Sequence, residues 1–386
     1  MSSEFDVIVF GSTGYTGRLV AEHLLKTYGA SGSVKWAMAG RSAAKLADVR
    51  GEIGAPASLP LIVADADDPA SLEAMCKRAK VIITTAGPYQ LYGSKLVAAC
   101  AKTGTDYVDL TGESHWIAQM IAAHETAAKA SGARLVFSCG FDSIPFDLGV
   151  WFVEEEAKKK FGAYAARVRG RVRGLVGGLS GGTLASGQAT IAAVTKDPAL
   201  MAVLGNAFAL TPGFTGPQQP DGDTPYEDKV AGAWVGNFMM AGINTKAVHR
   251  TNFLLGHPWS ADFQYDEMQM LDGPPTAGAA APGFNFGGTL PKPGEGPTKE
   301  ERDNGSYDIV FIAELKDGRT LRAAVKGDRD PGYGSTSKIL AESALALADV
   351  PRSVTPGGCW TSAAAMAPAL LKRLPGKAGL TFAVEG

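Results

Sequence analysis

Asp6-Val7-Ile8-Val9-Phe10 is a short, almost wholly apolar run that stops at glycine, the pattern of a strand buried on both faces of a parallel sheet. After Gly11-Ser12-Thr13-Gly14-Tyr15-Thr16-Gly17 the period lengthens. From Arg18 to Tyr28, Leu19, Val20, Leu24 and Leu25 share one helical face, and Gly29 stands at the C-cap position. Further apolar runs follow at Val34–Ala39, Leu61–Ala64, Val81–Thr85, Tyr107–Leu110 and Arg134–Phe137, with helical segments between them. This order predicts an α/β fold whose N-terminal part is a Rossmann-type, doubly wound parallel sheet.

The second half has a different rhythm. In Ala166–Val176 a period of two puts Arg167, Arg169, Arg171 and Arg173 on one strand face, with Val168, Gly170 and Val172 on the other. That arginine face is either a solvated sheet surface with acidic cross-strand partners or a platform for an anion such as a phosphopantetheine arm or an acidic lipid. Glu154-Glu155-Glu156 precedes Lys158-Lys159-Lys160 at i,i+4 spacing, which predicts a surface helix. Ser180-Gly181-Gly182-Thr183 opens a helix-compatible run, so its amides serve either an anion or close packing. Tyr307–Leu315 and Thr320–Val325 alternate around an Asp317-Gly318 turn and predict an antiparallel hairpin. Asp272–Gly305 is crowded with Gly and Pro and is expected to be a loop or lid, and Ile339–Ala348 is an Ala/Leu-rich helix.

Length and composition narrow the classes. At roughly one domain per 150 residues, 386 residues suggest two or three. Lys+Arg 37 against Asp+Glu 39 leaves −2, which supplies no field for gathering nucleic acid. Cys76, Cys100, Cys139 and Cys359 are scattered, without the close spacing of a zinc site, so no metal is expected and a reducing, cytoplasmic setting fits best. The N-terminus lacks the basic and apolar regions of a secretory signal. Gly174–Thr195 and Pro198–Pro220 are free of charge but interrupted by glycines or prolines, unlike a continuous spanning run of roughly 20 apolar residues. Peripheral association with a membrane or lipid stays open.

Strand, glycine turn and helix occur in the order a dinucleotide site requires. Gly11 permits the tight turn, Gly14 lets backbone amides approach a pyrophosphate, and Gly17 lets helix and strand pack closely. Gly11, Ser12, Thr13, Gly14, Tyr15, Thr16 and Gly17 are therefore candidate cofactor residues. The second strand ends in Gly40-Arg41-Ser42 rather than in an acid. A guanidinium there suits the 2′-phosphate of NADP(H), which makes Arg41 and Ser42 candidates. Asp65 ends the third strand and could meet the adenine edge, while Asp67 and Asp68 read equally well as caps before Pro69. Ala86, Gly87 and Pro88 follow the fourth strand, where an open parallel sheet has its ligand crevice.

Several segments together resemble the saccharopine dehydrogenase-like oxidoreductases, in particular the branch of trans-acting enoyl reductases. They are Gly11–Gly17 (GSTGYTG), Ala39–Ser42 (AGRS), Ala86–Gly93 (AGPYQLYG), Tyr107–Glu113 (YVDLTGE), Cys139–Gly149 (CGFDSIPFDLG), Ser180–Ser186 (SGGTLAS) and Gly327–Ala346 (GDRDPGYGSTSKILAESALA). The sequence departs from the family at Thr361-Ser362-Ala363, where Thr-Pro-Ala is usual, and at Arg329-Asp330, where a shorter Gly-Asp-Pro-Gly is usual. The resemblance implies a Rossmann domain over 1–148, a second α/β domain with a mixed or antiparallel sheet over 149–331, and a C-terminal segment, 332–386, that packs back on the first. It also implies an NADPH-dependent oxidoreductase acting on the C=C bond of an enoyl thioester, with a small-molecule or carrier-bound acyl substrate. A homodimer is an open expectation.

The sequence narrows the chemistry further. The Tyr-x-x-x-Lys dyad of short-chain dehydrogenases is missing, since Tyr92 and Lys95 have the wrong spacing, and no Gly-x-Ser-x-Gly elbow is present. Metal-free hydride transfer remains, with the protein supplying position and a proton. Tyr89 after the fourth strand, and Asp142 and Ser143 after the sixth, are the candidate catalytic residues. Glu113 and His115 are further possible proton donors, whereas Cys139 reads as a small buried hydrophobe and His23 as a packing or surface residue. The alternatives are a saccharopine-type C–N oxidoreductase, whose amino-diacid substrate needs convergent arginines, and a non-catalytic NADPH-binding protein associated with lipid.

Overall fold

The strand β1 (Phe5–Phe10) is buried on both faces, as its unbroken apolar run requires. Val7 and Val9 point into one core with Val20, Leu24 and Trp36, while Ile8 points into another with Ala37, Ile82 and Leu96. The chain is described here from a computed structural model covering residues 3–178, 180–274, 291–292 and 294–386. Around β1 stand β2 (Trp36–Gly40), β3 (Leu61–Val63), β4 (Ala79–Thr84), β5 (Asp106–Val108) and β6 (Arg134–Val136). All pair in parallel, and the order reverses between β2 and β4 on either side of β1. The ligand crevice of such a sheet lies at that switch point, beyond the carboxyl ends of the strands.

A second sheet follows from β7 (Arg167–Val176), β8 (Tyr226–Asp228), β9 (Ala233–Asn237), β10 (Gln264–Leu271), β11 (Ser306–Glu314) and β12 (Thr320–Gly327). It is mixed: β7 and β10 are parallel and the other pairs antiparallel. The expected hairpin is β11–β12, with Gly318 at φ +86° in its turn. The C-terminal segment supplies a strand to each sheet. Three-residue β13 (Gly358–Trp360) extends the parallel sheet beside β6, and β14 (Leu380–Glu385) pairs with β12. The Thr336–Asp349 helix packs on β1, β4 and β5 of the parallel sheet, burying Ile339, Leu340, Ala344 and Leu347.

Tertiary context decides between some sequence expectations and corrects others. The Arg167–Arg173 face has the acidic cross-strand partners of the first alternative, from β8, β10, β11 and β14, and is exposed only at Arg173. Arg171 is fully buried and reaches Asp228 at 2.8 Å and Asp266 at 2.7 Å. Arg169 holds Glu314, Arg167 holds Asp266, and Arg173 holds Asp308 and Glu385. The helix Ile144–Phe161 is not a plain surface helix, since Glu154 is fully buried and accepts the Ala165 amide at 2.7 Å. His23 is buried against Glu342 at 2.7 Å. Within Asp272–Gly305, residues Lys299–Asn304 form a helix with a Thr298–Glu301 capping box rather than loop. Residues 275–290 and 293 lie outside the described ones. No helix among the described residues is long and apolar enough to cross a membrane.

Candidate functional site

The glycine turn after β1 is built by backbone geometry. Gly11 sits at φ +88°, a region that L side chains rarely enter, and its amide bonds the Ala39 carbonyl at 3.0 Å. A side chain on Gly17 would collide with the Gly11 carbonyl and Thr85. The helix Tyr15–Tyr28 therefore starts three residues before Arg18, tight against the strand ends. Its N-cap, Gly14, is exposed and contributes no capping side chain, which leaves the first-turn amides open to an anion.

The predicted contact residues divide by what their side chains do. Ser12 is buried with its hydroxyl on the Val9 carbonyl at 2.5 Å, so only its backbone is available. The Tyr15 hydroxyl donates to the Pro297 carbonyl and accepts from Arg302 at 2.8 Å, while its ring lies edge-on to Tyr333 at 5.2 Å. Thr13 is exposed and Thr16 half-buried. Arg41 is exposed, and no hydrogen bond or ion pair engages its guanidinium among the described residues. Ser42 caps the next helix, its hydroxyl accepting from the Lys45 amide at 3.3 Å. Asp65 accepts the Asp67 amide, and Asp68 caps the Pro69–Cys76 helix. Ala86 is half-buried and Gly87 exposed on the rim beyond β4, while Pro88 is buried.

The three catalytic candidates are not equivalent. Tyr89 is buried with its hydroxyl donated to the Thr84 carbonyl at 3.0 Å and its ring beside Trp116 at 5.6 Å. Burial and the nearby carboxyls of Asp109, Glu113 and Asp142 hold its phenol well above the ordinary range. Tyr89 therefore stays a protonated phenol whose hydrogen is engaged by a backbone carbonyl. Ser143 is buried, and its hydroxyl donates to Asn244 Oδ1 at 3.3 Å. Asp142 differs from both. It is half-buried, no hydrogen bond engages its carboxyl among the described residues, and burial alone raises its pKa to about 6. Its charge also bears on Tyr89 and Tyr333. Among the described residues no cation pairs with it.

The remaining donor candidates are committed elsewhere. Glu113 accepts the amides of Tyr89 and Gln90, each at 2.8 Å. His115 Nε2 meets Gln90 Oε1 at 3.3 Å, and Gln90 in turn donates to Thr190 at 3.3 Å. Cys139 is fully buried, as expected. Among the described residues no cluster of His, Cys, Asp or Glu could hold a metal.

Two site residues escaped the sequence reading. Asp109 is buried and accepts from Tyr107 Oη at 2.8 Å and from the Ser138 amide at 2.7 Å. Burial lifts its pKa to about 7, and its bonds lock the loops after β5 and β6 that carry Asp142. Tyr333 stands in a one-turn π-helix, Pro331–Ser335, wound around the buried Asp330 carboxylate, which accepts the amides of Gly332, Tyr333 and Gly334. Tyr333 Oη accepts the Ser180 amide at 2.6 Å and lies 2.6 Å from Thr183 Oγ1. The only sequence signal was the Gly- and Pro-rich Asp330–Ser335 stretch, in which the phenol carries no local mark.

Comparison with known proteins decides the family. The profile of the saccharopine dehydrogenase NADP-binding domain matches residues 7–136. A Mycobacterium ulcerans protein named trans-acting enoyl reductase is 36% identical over 404 residues, covering 96% of each chain. The chain belongs to the trans-acting enoyl reductases of the saccharopine dehydrogenase-like family. A second relative, from Mycobacterium tuberculosis and given the same name provisionally, is 37% identical over 403 residues, again 96% of each chain. Saccharopine dehydrogenase (L-Glu forming) from Saccharomyces cerevisiae shares the fold, with a TM-score of 0.56 at 13% identity over 99% of this chain and 100% of that one. This family member is an NADP-dependent oxidoreductase. The glycine turn, the uncapped helix start and the unengaged Arg41 fit NADP(H).

Proposed function

We propose that this enzyme reduces the C=C bond of an enoyl thioester in lipid or polyketide metabolism, with Asp142 as the proton donor. One observation carries the reading: Asp142 is an acid with no bonded partner among the described residues and a pKa of about 6, beyond β6 on the crevice side of the sheet. Such an acid keeps a transferable proton near neutral pH. Arg41 would hold the 2′-phosphate of NADPH, and the backbone of Gly11–Gly17 its pyrophosphate. Bound NADPH supplies hydride to the β-carbon. Asp142 gives its proton to the α-carbon, which completes addition of two hydrogens across the double bond. The enolate-like oxygen that develops between these events needs a donor. Thr183 is exposed, and its hydroxyl pairs with Tyr333, so these two are proposed to provide it.

The alternative of an amino-diacid substrate requires cations around the reacting centre. Among the described residues no cation pairs with Asp142, whose pKa burial raises. NADPH oxidation against a panel of trans-2-enoyl thioesters, with amino-acid imines and NADH as controls, tests the assignment. NADPH-specific turnover of an enoyl thioester is expected. Turnover confined to imines would assign C–N chemistry instead, and tight NADPH binding without turnover of any substrate would favour a non-catalytic protein.

A further inference from the structure

A cavity of about 510 Å³ opens between the Leu200–Gly205 helix, the start of the Ala241–Leu254 helix and β10. None of the groups gathered at Asp142 lines it. Leu204, Phe208, Pro217, Pro220 and Ala241 give it apolar walls, and one cation, Lys246, reaches it. The Lys246 side chain is buried. Its ammonium donates to the carbonyls of Leu204 at 2.7 Å and Gly242 at 2.5 Å. An ammonium has three hydrogens, and the third has no acceptor among the described residues. No carboxylate is paired with it there either.

The acids on the same wall do not neutralise Lys246. Asp266 is taken by Arg167 and Arg171. Glu267 is bonded by Tyr265 Oη at 2.7 Å and Asn244 Nδ2 at 2.9 Å, and burial pushes its carboxyl well above the ordinary range. A buried cation without a counter-charge is costly, and a bound anion removes that cost. One free hydrogen and one positive charge match a singly charged group. Asp223, also on the wall, opposes a dianion such as phosphate more than a monoanion.

We propose that this cavity is a binding site for a small amphipathic monocarboxylate, with its carboxylate on Lys246 Nζ and its hydrocarbon part against Leu204, Phe208 and Ala241. Calorimetric titration of the full chain with octanoate, methyl octanoate and octyl phosphate tests it. Octanoate is expected to bind saturably at one site, methyl octanoate not at all, and octyl phosphate more weakly than octanoate. Lys246→Met should weaken octanoate binding at least tenfold. Gly205→Trp should abolish it with Lys246 intact, since Gly205 lines the cavity and a Cβ added there meets no atom within 4 Å. Octanoate binding should survive Asp142→Asn, which separates this site from the cleft. The proposal is overturned if octanoate does not saturate, if the ester binds equally, if octyl phosphate binds more tightly, or if Asp142→Asn removes binding. Unchanged affinity in either folded variant also overturns it, and Gly205→Trp decides alone should Lys246→Met fail to fold.

Discussion

At the scale of single residues, position and availability have to be read separately. Arg41 was visible because it stands where an acid would bind the ribose of NAD, and the structure leaves its guanidinium unengaged. Arg41→Asp should reverse the nucleotide preference. Affinity for NADPH is expected to fall at least tenfold with that for NADH unchanged or improved, as read by fluorescence titration. Equal loss for both nucleotides would mean that Arg41 acts on the fold instead. Tyr89 and Asp142 were equally visible as strand-end residues. What separates them is that the Tyr89 phenol is donated to the Thr84 carbonyl, whereas the Asp142 carboxyl has no bonded partner among the described residues. No local pattern encodes that difference.

At the scale of elements, period and turn chemistry were legible and cover was not. The run Asp6–Phe10, the Gly29 cap and the Asp317-Gly318 turn each express a local rule, and each element formed close to where that rule put it. The β13 strand, Gly358-Cys359-Trp360, is too short to show a period and exists because β6 offers it an edge. Glu154 sits in an acidic run that read as a solvated face, yet packing of the Ile144–Phe161 helix on the second sheet buries it. Burial raises its pKa to about 8. The folded state therefore holds this proton more tightly than the unfolded chain, whose carboxyl titrates near 4.5. The resulting stability is complete below that value and is lost as pH rises through 8. In urea denaturation, Glu154→Gln should gain stability relative to the wild type between pH 5 and pH 8. A constant difference across that range would refute the assignment.

At the scale of the whole molecule, charge placed far apart in the sequence closes the second sheet. The four arginines of β7 share one strand, but their partners Asp228, Asp266, Asp308, Glu314 and Glu385 are spread over four other strands. The alternation could locate the arginine face but could not say what covers it. Removing Arg171 leaves Asp228 and Asp266 without their buried partner, so Arg171→Met should lower the unfolding free energy by about 3–5 kcal/mol. A loss below about 1 kcal/mol in equilibrium denaturation would show that those acids find other partners. Asp147 joins the same architecture to the C-terminal segment. Its carboxylate accepts from Thr251, Ser362 and the Ala363 amide, and the Ser362 hydroxyl is one that the family's usual proline could not provide.

The central claim is that Asp142 delivers the proton. Its most direct test is the pH–rate profile of wild type and Asp142→Asn on the enoyl thioester that the wild type turns over. A donor must be protonated, and the Asp142 carboxyl loses its proton near pH 6. Wild-type kcat/KM should therefore be level below pH 6 and fall about tenfold per pH unit above it. Asp142→Asn should bind NADPH as the wild type does, lose about 100-fold or more in kcat, and no longer show that limb. An Asn variant that keeps the wild-type rate and the wild-type pH profile would contradict the assignment.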